Sequence, residues 1–218
     1  MSIDATPQVH EMLRQLEKNI SAFDVGLLSG SKRAILEAFI KIATFEGYSA
    51  VTMRSLARAV NLKPPTIYSH FEEGKEQIVS EALKLHIYIF GTAMLKAVEN
   101  CSTAKSYWDT LIKFHILQML TKQENEMWDL FISMERINKA LGTQVREQVM
   151  MWSEFCDSIY KAVATDLGFS CSSEKSRVIR QILDSSARWW EWDGTEQNLN
   201  ACSQYASKLA MTLLATSE

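Results

Sequence analysis

Glycine and proline are scarce in this sequence, which has only 8 glycines and 3 prolines in 218 residues. β-Sandwiches and β-barrels need turn residues between their many short strands, so this scarcity argues against an all-β fold. Apolar residues instead recur at spacings of three and four along most of the chain, a pattern typical of amphipathic helices. The sequence therefore predicts an all-α protein.

Cysteines and long apolar runs are also few. The four cysteines stand far apart, without a C-x-x-C pair or a histidine cluster at ligand spacing. We therefore expect no metal site, no disulfide framework and reduced thiols in the cytoplasm. No apolar run reaches the ~18 residues of a membrane-spanning helix, and none follows basic residues at the N-terminus. Neither export nor a membrane partner is expected.

The short motifs of several enzyme classes are missing. The sequence contains no G-x-S-x-G, no H-E-x-x-H and no glycine-rich loop that would hold a phosphate. We expect a protein that is not an enzyme and binds no cofactor. A helical-bundle enzyme is the main alternative, because an active site inside a bundle need not carry a short motif.

Charge is unevenly distributed along the chain, whose formal net charge is −3. Residues 31–80 carry seven Lys and Arg against five Asp and Glu, whereas residues 1–30 carry two against four and residues 81–218 carry 14 against 17. A nucleic-acid interface is sought by counting charge region by region. The mildly basic region also holds the most distinctive motif.

That motif is NLKPPTIYSHF, at residues 61–71. Proline disfavours helical backbone in the residue before it, so the helix predicted over TMRSLARAV must end near Val60. Pro65 suits the first position of a new helix, because its φ is already helical and its missing N–H would have had no partner there. Two short helices joined by a tight turn form a helix-turn-helix candidate.

Capping residues and apolar stripes predict the other helices. A first helix over 7–20 has Thr6 as its N-cap, and a second is capped by Ser31 and ends at Gly47. Thr52 caps the next helix without reinforcement, because Ser55 stands where a capping box has Glu or Gln. Later helices are predicted over 76–100, 105–121, 125–134, 138–166, 174–190 and 196–215.

The predicted organisation has three parts. Residues 1–30 form an N-terminal extension with an extra helix, 31–77 form a three-helix unit with the helix-turn-helix, and 78–218 form a larger helical bundle. The extension is acidic, so we expect its helix to pack on the protein and not to bind DNA.

The stretch TMRSLARAVNLKPPTIYSHFEEGKE resembles the tetracycline-repressor (TetR) family of bacterial transcription regulators. The resemblance extends from Ser31 to Lys75. It rests on FEGY at 45–48, Thr52, Leu56-Ala57, Leu62 and the block Tyr68-Ser69-His70-Phe71 followed by a lysine.

The resemblance implies a fold and a function. The fold is an N-terminal three-helix helix-turn-helix DNA-binding domain followed by a larger helical ligand-binding and dimerisation bundle. The implied function is that of a transcriptional regulator, expected to be a repressor, which binds a palindromic operator as a homodimer. A small, largely apolar or aromatic effector that binds residues 78–218 would release it from double-stranded DNA. A DNA-binding protein controlled by a protein partner is a further alternative.

The resemblance also implies DNA-binding residues. Lys63, Pro65 and Thr66 stand at the start of the recognition helix, where base edges are contacted. The other candidates are expected at the sugar-phosphate backbone or the minor groove: Lys32, Arg33, Thr52, Arg54, Tyr68, Ser69, His70 and Lys75. The alternatives are that Tyr68 and His70 pack the small domain and that Lys32 and Arg33 are only solvated.

Two departures from the family pattern fall in this region. Asn61 occupies the turn where many members have glycine or another small residue, and Asn tolerates positive φ better than most residues do. The acidic pair Glu72-Glu73 stands close to the expected phosphate backbone, where it should weaken nonspecific binding.

The last two predicted helices carry apolar stripes that are expected to form a four-helix interface between two copies of the chain. The candidate interface residues are Ile179, Ile182, Leu183, Trp190, Tyr205, Leu209 and Leu213. The alternative is that these stripes close the core of a single chain.

The region between the helix-turn-helix unit and the last two predicted helices is rich in aromatic residues and methionine. Such residues can form an adaptable apolar pocket for an effector. The candidate effector-binding residues are His86, Phe90, Trp108, His115, Met119, Trp128, Phe131, Trp152 and Tyr160. The alternative is that the aromatic residues form ordinary core and the two histidines are hydrogen-bonded within it.

Overall fold

The computed structural model describes residues 6–21, 23, 26, 28–122, 124–125, 128 and 142–216. Within these ranges the regular structure is helical, as predicted, and no strand occurs. The helices are α1 (Pro7–Ser21), α2 (Gly30–Phe45), α3 (Met53–Ala59), α4 (Pro64–His70), α5 (Lys75–Val98), α6 (Ala104–Thr121), α7 (Thr143–Asp166), α8 (Ser173–Asp184), α9 (Ser186–Trp189) and α10 (Glu196–Ala215). Most of the helix predicted over 125–134 lies outside the described residues.

The start of α2 differs from the prediction. Ser29, not Ser31, is the N-cap, because its Oγ accepts a hydrogen bond from the N–H of Lys32 at 3.2 Å. Gly30 is already the first helical residue, so Ser31 lies inside the first turn. The capping oxygen must come from the residue that precedes the helix, and here that residue is Ser29.

The cap of α3 is reinforced, contrary to the prediction. Thr52 Oγ1 accepts from the N–H of Ser55 at 3.0 Å, and Ser55 Oγ accepts from the N–H of Thr52 at 2.8 Å. Serine thus completes the reciprocal pair that Glu or Gln usually makes. The same pattern begins α6, where Thr103 and Ser106 form the box.

The predicted helix over 174–190 is interrupted. α8 ends at Asp184, and the four-residue α9 follows after Ser185. Ser185 Oγ donates to the carbonyl of Gln181 at 2.8 Å, a local side-chain bond of the kind that competes with helix continuation.

Two compact units are present, each with its own core. The turn unit comprises the described residues of Ile20–Phe90 and Gln123–Met151. The bundle unit comprises those of Met1–Asn19, Gly91–Lys122 and Trp152–Glu218. Because α5 and α7 each cross a boundary between these ranges, both helices contribute residues to both units.

The core of the turn unit takes one apolar face from each of its helices. Phe39, Leu56 and Phe71 are completely buried there. Val145 and Val149, from the first part of α7, join the same core. Burying side chains of this size is worth about 1.5–3 kcal/mol each, so the short helices α3 and α4 are held mainly by this packing.

The core of the bundle unit surrounds α6. Trp108 is completely buried, and its indole N–H donates to Ser207 Oγ of α10 at 2.9 Å. α1 packs on this unit through Val9 and Leu16, which are both completely buried.

Among the helices described, α5 alone has the length and apolar composition that would allow it to cross a membrane. Ile78, Val79 and Leu83 of this helix are buried in the core of the turn unit. A core helix is apolar for that reason, and its composition is no evidence of a membrane span.

Candidate nucleic-acid interface and buried polar network

The turn between α3 and α4 is built around Asn61. α3 ends at Ala59, as predicted, and Asn61 has φ 55°, the positive value that its short polar side chain tolerates. The N–H of Leu62 then donates to the carbonyl of Ala57 at 2.8 Å, which closes the end of α3. This closure turns the chain toward α4.

α4 begins one residue earlier than predicted. Lys63 is its N-cap, with extended backbone, and Pro64 and Pro65 occupy the first two helical positions. The first N–H groups of a helix have no partner within it, so two consecutive prolines remove no helical hydrogen bond there.

The two sides of α4 differ in character. Ile67 and Phe71 are completely buried in the core of the turn unit. Lys63, Pro65 and Ser69 are exposed, as is Tyr68 with half of its surface accessible, and Thr66 and His70 are half-buried. The structure thus gathers the predicted recognition residues on or beside the exposed side of one short helix.

Thr52 and Arg54 are exposed at the start of α3. The Thr52 hydroxyl is part of the capping box and also donates to Ser55 Oγ at 3.1 Å. Arg33 is likewise exposed, on α2.

Two predicted phosphate contacts, Lys75 and Lys32, are engaged within the turn unit. Lys75 Nζ donates to the carbonyl of Tyr48 at 2.9 Å and lies 3.5 Å from the centre of the Tyr48 ring, and burial lowers the pKa of Lys75. Lys32 Nζ lies 5.3 Å from the centre of the Phe71 ring and 4.0 Å from a Glu81 carboxylate oxygen. Both lysines therefore make contacts that stabilise the turn unit.

The predicted effector residues fall into two groups. His86, Phe90 and Trp128 lie in the turn unit, whereas Trp108, His115, Met119, Trp152 and Tyr160 lie in the bundle unit. Phe131 lies outside the described residues.

The first group is an aromatic cluster around His86. The centre of its imidazole is 5.3 Å from that of the Trp128 ring and 5.9 Å from that of Phe90. Loss of water around the half-buried imidazole lowers the pKa of His86 to about 3, so the ring is neutral at physiological pH. The cluster therefore offers an apolar, aromatic surface without formal charge.

In the second group, Trp108 and Met119 are buried in the core, and the half-buried Trp152 stacks on Phe155 at 5.7 Å between ring centres. His115 and Tyr160 belong instead to a polar network. His115 Nδ1 lies 2.7 Å from the Tyr160 hydroxyl, and His115 Nε2 lies 2.8 Å from Asp184 Oδ1.

Arg180 extends this network between α7 and α8. Its NH1 donates to Asp184 Oδ2 at 2.5 Å, its Nε to Asp157 Oδ1 at 2.6 Å, and its NH2 to Ser153 Oγ at 2.9 Å. Burial opposes the charge of Arg180, but Asp184 and Asp157 outweigh that effect and raise the pKa of its guanidinium. Burial, and then the negative charge of Asp184, raise the pKa of Tyr160 well above its usual value.

Sequence reasoning missed Arg180, Asp157 and Asp184. The available signal was a charged pair at i, i+4, Arg180 and Asp184, on the same side of α8 as Ile179 and Leu183. Charged residues on an apolar face indicate buried pairing, since an unpaired charge is costly to bury.

The candidate interface residues split between core and surface. Ile179 and Leu183 are completely buried within the chain, so they cannot also offer an outer surface, and the prediction is corrected for these two. Ile182, Trp190 and Leu213 are half-buried, whereas Tyr205 is 49% and Leu209 37% exposed. Val178, which is 47% exposed, lies on the same outer side of α8 as Ile182.

The tryptophans between α8 and α10 keep their polar ends satisfied. The indole N–H of Trp189 donates to the carbonyl of Ile182 at 3.0 Å, and that of Trp190 to Asn198 Oδ1 at 2.7 Å. Both rings lie close to Tyr205, with ring centres 6.0 and 6.1 Å away. These rings and the exposed residues on α8 and α10 form a surface that we call the α8/α10 patch: Val178, Ile182, Trp189, Trp190, Tyr205, Leu209 and Leu213.

A groove of about 480 Å³ also lies in the bundle unit, between α6 and α10. All of its lining residues have polar or charged side chains, and none is a predicted effector residue: Lys105, Asp109, Lys113, Asn200, Ser203, Gln204, Ser207 and Lys208.

Residues 35–82 match the family described as "Bacterial regulatory proteins, tetR family". In fold, the chain is similar to a regulatory protein of the tetR family from Rhodococcus RHA1, with a TM-score of 0.66 and 15% identity over 88% of this chain and 100% of that one. It is also similar to the TetR-family transcriptional regulator PfmR from Thermus thermophilus, with a TM-score of 0.59 and 21% identity over 88% of this chain and 99% of that one.

A protein from Saccharomonospora viridis, solved in complex with choline, has a TM-score of 0.64 and 15% identity over 84% of this chain and 97% of that one. None of the curated proteins matches the sequence. Identities this low establish the similarity of fold, and the match of residues 35–82 adds the DNA-binding domain.

Proposed function

We propose that this chain, whose residues 35–82 match the tetR family of bacterial regulatory proteins and whose fold is similar to that of tetR-family regulators, represses transcription. In this proposal it binds a palindromic operator as a homodimer in the cytoplasm, and a small apolar or aromatic effector releases it. The functional division is a DNA-binding domain at 31–77 and an effector and dimerisation domain at 78–218. It has no catalytic activity and needs no cofactor.

The observation that carries the proposal is the arrangement of α4. Ile67 of this helix and Phe71 just after it are completely buried, while the side chains that can contact DNA are exposed or half-buried. A helix placed in this way can lie in the major groove with its first residues toward the base edges. Lys63 is then the donor to guanine, and Thr66 offers its hydroxyl or its methyl group.

The flanking residues hold the DNA backbone in this proposal. Tyr68 is exposed, which supports a role on the backbone over one in the core, and Arg33 and Arg54 are exposed as well. Phosphate contacts of this kind fix position and carry little sequence information. The other backbone contacts come from Lys32, Thr52, Ser69, His70 and Lys75, of which the two lysines also brace the unit.

The α8/α10 patch supports the homodimer. Exposed apolar residues on two adjacent helices, close to two tryptophans, are typical of a surface that a partner covers. A second copy of the chain supplies the matching helices and brings a second recognition helix to the DNA.

The His86 cluster supports the effector. The protein from Saccharomonospora viridis was solved in complex with choline, and we propose that this chain also takes a small ligand. α5 carries Ile78 and Val79 in the core against which α4 packs, and His86 and Phe90 further along. A ligand that moves this helix changes the DNA-binding unit, with a typical coupling of about 1–3 kcal/mol.

Selection from random duplex DNA tests the proposal. The purified protein is expected to enrich an inverted repeat, with binding that weakens as salt rises. Lys63→Gln should weaken specific binding by about 1–3 kcal/mol and relax one position of the site. Lys96→Gln, a change of an exposed lysine on the bundle-unit part of α5, is the matched control and should bind like the wild type. Failure of the folded protein to enrich any sequence at either low or high salt contradicts the proposal.

The effector is tested separately. A thermal-shift screen with apolar and aromatic compounds should identify ligands that stabilise the protein, because binding to the folded state raises the midpoint temperature of unfolding. Each ligand is then added to the operator complex. Ligands that stabilise the protein without lowering operator affinity contradict release by an effector.

A further inference from the structure

Arg180 occupies the centre of the buried polar network. Its side chain is only 9% exposed, and it contacts Asp157 and Ser153 on α7 and Asp184 on its own helix, α8. The planar guanidinium therefore uses Nε, NH1 and NH2 for three different partners. No ammonium group has this fixed geometry.

The charges of the network make this contact specific. The side chains of Asp157 and Asp184 are only 10% and 16% exposed, and Arg180 lies between them. Arg177 adds a second guanidinium from the surface, 3.5 Å from the other oxygen of Asp157. Removing one partner of a buried ion pair is strongly destabilising, because it leaves an uncompensated charge in the interior.

Apolar contacts alone restrain α8 less strictly. Ile179 and Leu183 also face the core, but one aliphatic side chain can fit a neighbouring apolar site at modest cost. A rotation or shift of α8 would carry Arg180 and Arg177 away from Asp157 on α7, and it would carry Asp184 away from His115 on α6. The buried Asp157 carboxylate would then have no cation. The network therefore favours the position of α8 in which these contacts are made, as buried polar groups do where they fix helix register.

The outer side of α8 is set by the same rotation. Ser176, Ile179, Arg180 and Leu183 are buried, and Val178 and Ile182 consequently lie on the side that belongs to the α8/α10 patch. We propose that Arg180 is a positioning residue for dimerisation, which holds α8 so that Val178 and Ile182 face the second copy of the chain. This inference rests on the homodimer of the proposed function.

The test compares Arg180→Lys with the wild type. Lysine keeps the positive charge but cannot contact Asp157, Asp184 and Ser153 together, so α8 loses its fixed rotation. At a temperature where urea unfolding shows both proteins folded, sedimentation equilibrium should give a dimer dissociation constant at least about tenfold higher for the variant. Arg14→Lys, which changes an exposed arginine on α1, is the matched control and should leave this constant unchanged.

Covalent linkage of two copies separates the proposed role from a purely structural one. Linkage should restore operator affinity if Arg180 acts through dimerisation, and it should not if Arg180 only stabilises the fold. Joining two Arg180→Lys copies in one chain should restore most of the operator affinity, because the link replaces the weakened association. Linked copies that bind operator as weakly as the unlinked variant overturn the positioning role.

Two other outcomes are decisive. A wild-type protein that is monomeric throughout contradicts the homodimer, and with it the proposed function. A dimeric wild type with an unchanged dissociation constant in Arg180→Lys contradicts only the inference drawn for Arg180.

Should Arg180→Lys fail to fold, the variant Arg180→Met, Asp157→Asn, Asp184→Asn takes its place. It removes all three charges together and avoids an unpaired buried charge. A folded triple variant with a weaker dimer supports the role of Arg180, and one with an unchanged dimer overturns it.

Discussion

Asp166 holds the beginning of α1 through Val9. Its Oδ2 accepts the backbone N–H of Val9 at 2.8 Å, and its Oδ1 accepts that of Gln8 at 3.2 Å. The last residue of α7 thus serves as the cap that α1 lacks in its own sequence, since Thr6 Oγ1 bonds instead to the His10 imidazole at 3.3 Å.

This relationship predicts a stability effect. Asp166→Ala should lower the free energy of unfolding by about 1 kcal/mol, because two N–H groups lose their acceptor and the helix loses a negative charge at its N-terminus. Asp166→Asn, which keeps one acceptor oxygen, should lose less. Urea unfolding gives the difference, and operator affinity should not change. A loss of DNA affinity without a loss of stability would contradict the structural role assigned to α1.

Asn61 gives a second prediction, from its φ of 55°. Asn61→Gly should change the free energy of unfolding by less than about 0.5 kcal/mol, because glycine adopts this backbone without strain. Asn61→Ala should cost about 1–2 kcal/mol, since alanine keeps the Cβ that crowds the following carbonyl and loses the short polar side chain that lets Asn tolerate this backbone. Equal stability of the two variants in urea unfolding would show that the turn does not need its left-handed residue.

Glu72 and Glu73 give a third prediction, which concerns nonspecific DNA binding. Both side chains are exposed just beyond α4. The double variant Glu72→Gln, Glu73→Gln should bind random duplex DNA several-fold more tightly at low salt, with the gain vanishing at high salt, because repulsion of phosphates is screened. Glu174→Gln, Glu191→Gln, which removes two exposed carboxylates from the bundle unit, is the matched control for net charge. Equal gains in both variants would locate the effect in total charge and not near α4.

The His86 imidazole predicts a pH dependence. The pKa of this group is about 3 in the folded chain and about 6.5 when unfolded, so the unfolded chain binds more protons between these values. Stability is therefore highest above the unfolded pKa and falls as pH decreases toward 3. Between pH 7 and pH 5 the wild type should lose about 1–2 kcal/mol more than His86→Gln, as measured by urea unfolding at each pH. Parallel losses in the two proteins would place the imidazole in water.

Local chemistry explains what the sequence predicted well. The end of α3 and the positive φ of Asn61 both follow from residues inside the turn itself. The long helices follow from their apolar stripes, because the spacing of apolar residues predicts a helix with one buried face whatever that face packs against. The predicted starts of α2 and α4 are wrong by one or two residues. Neighbouring serines near the start of α2 can each serve as the N-cap, and either proline of α4 can occupy its first position.

Tertiary contacts explain what it did not predict. His115, Asp157 and Asp184 are far apart in sequence and meet only after α6, α7 and α8 have packed. A stripe also does not say whether its residues face their own chain or another. For that reason Ile179 and Leu183 were assigned to the same surface as Tyr205, although they belong to the core.

The two prolines at the start of α4 restrict how this helix can meet DNA. The N-termini of helices often bind phosphate through their unpaired N–H groups. Pro64 and Pro65 have no N–H, and that of Thr66 already donates to the carbonyl of Lys63 at 2.9 Å. The first three residues of α4 therefore present no unused main-chain donor to a phosphate. Every polar contact made by that end of the helix has to come from side chains, so its selectivity can be changed by substitution without altering the backbone.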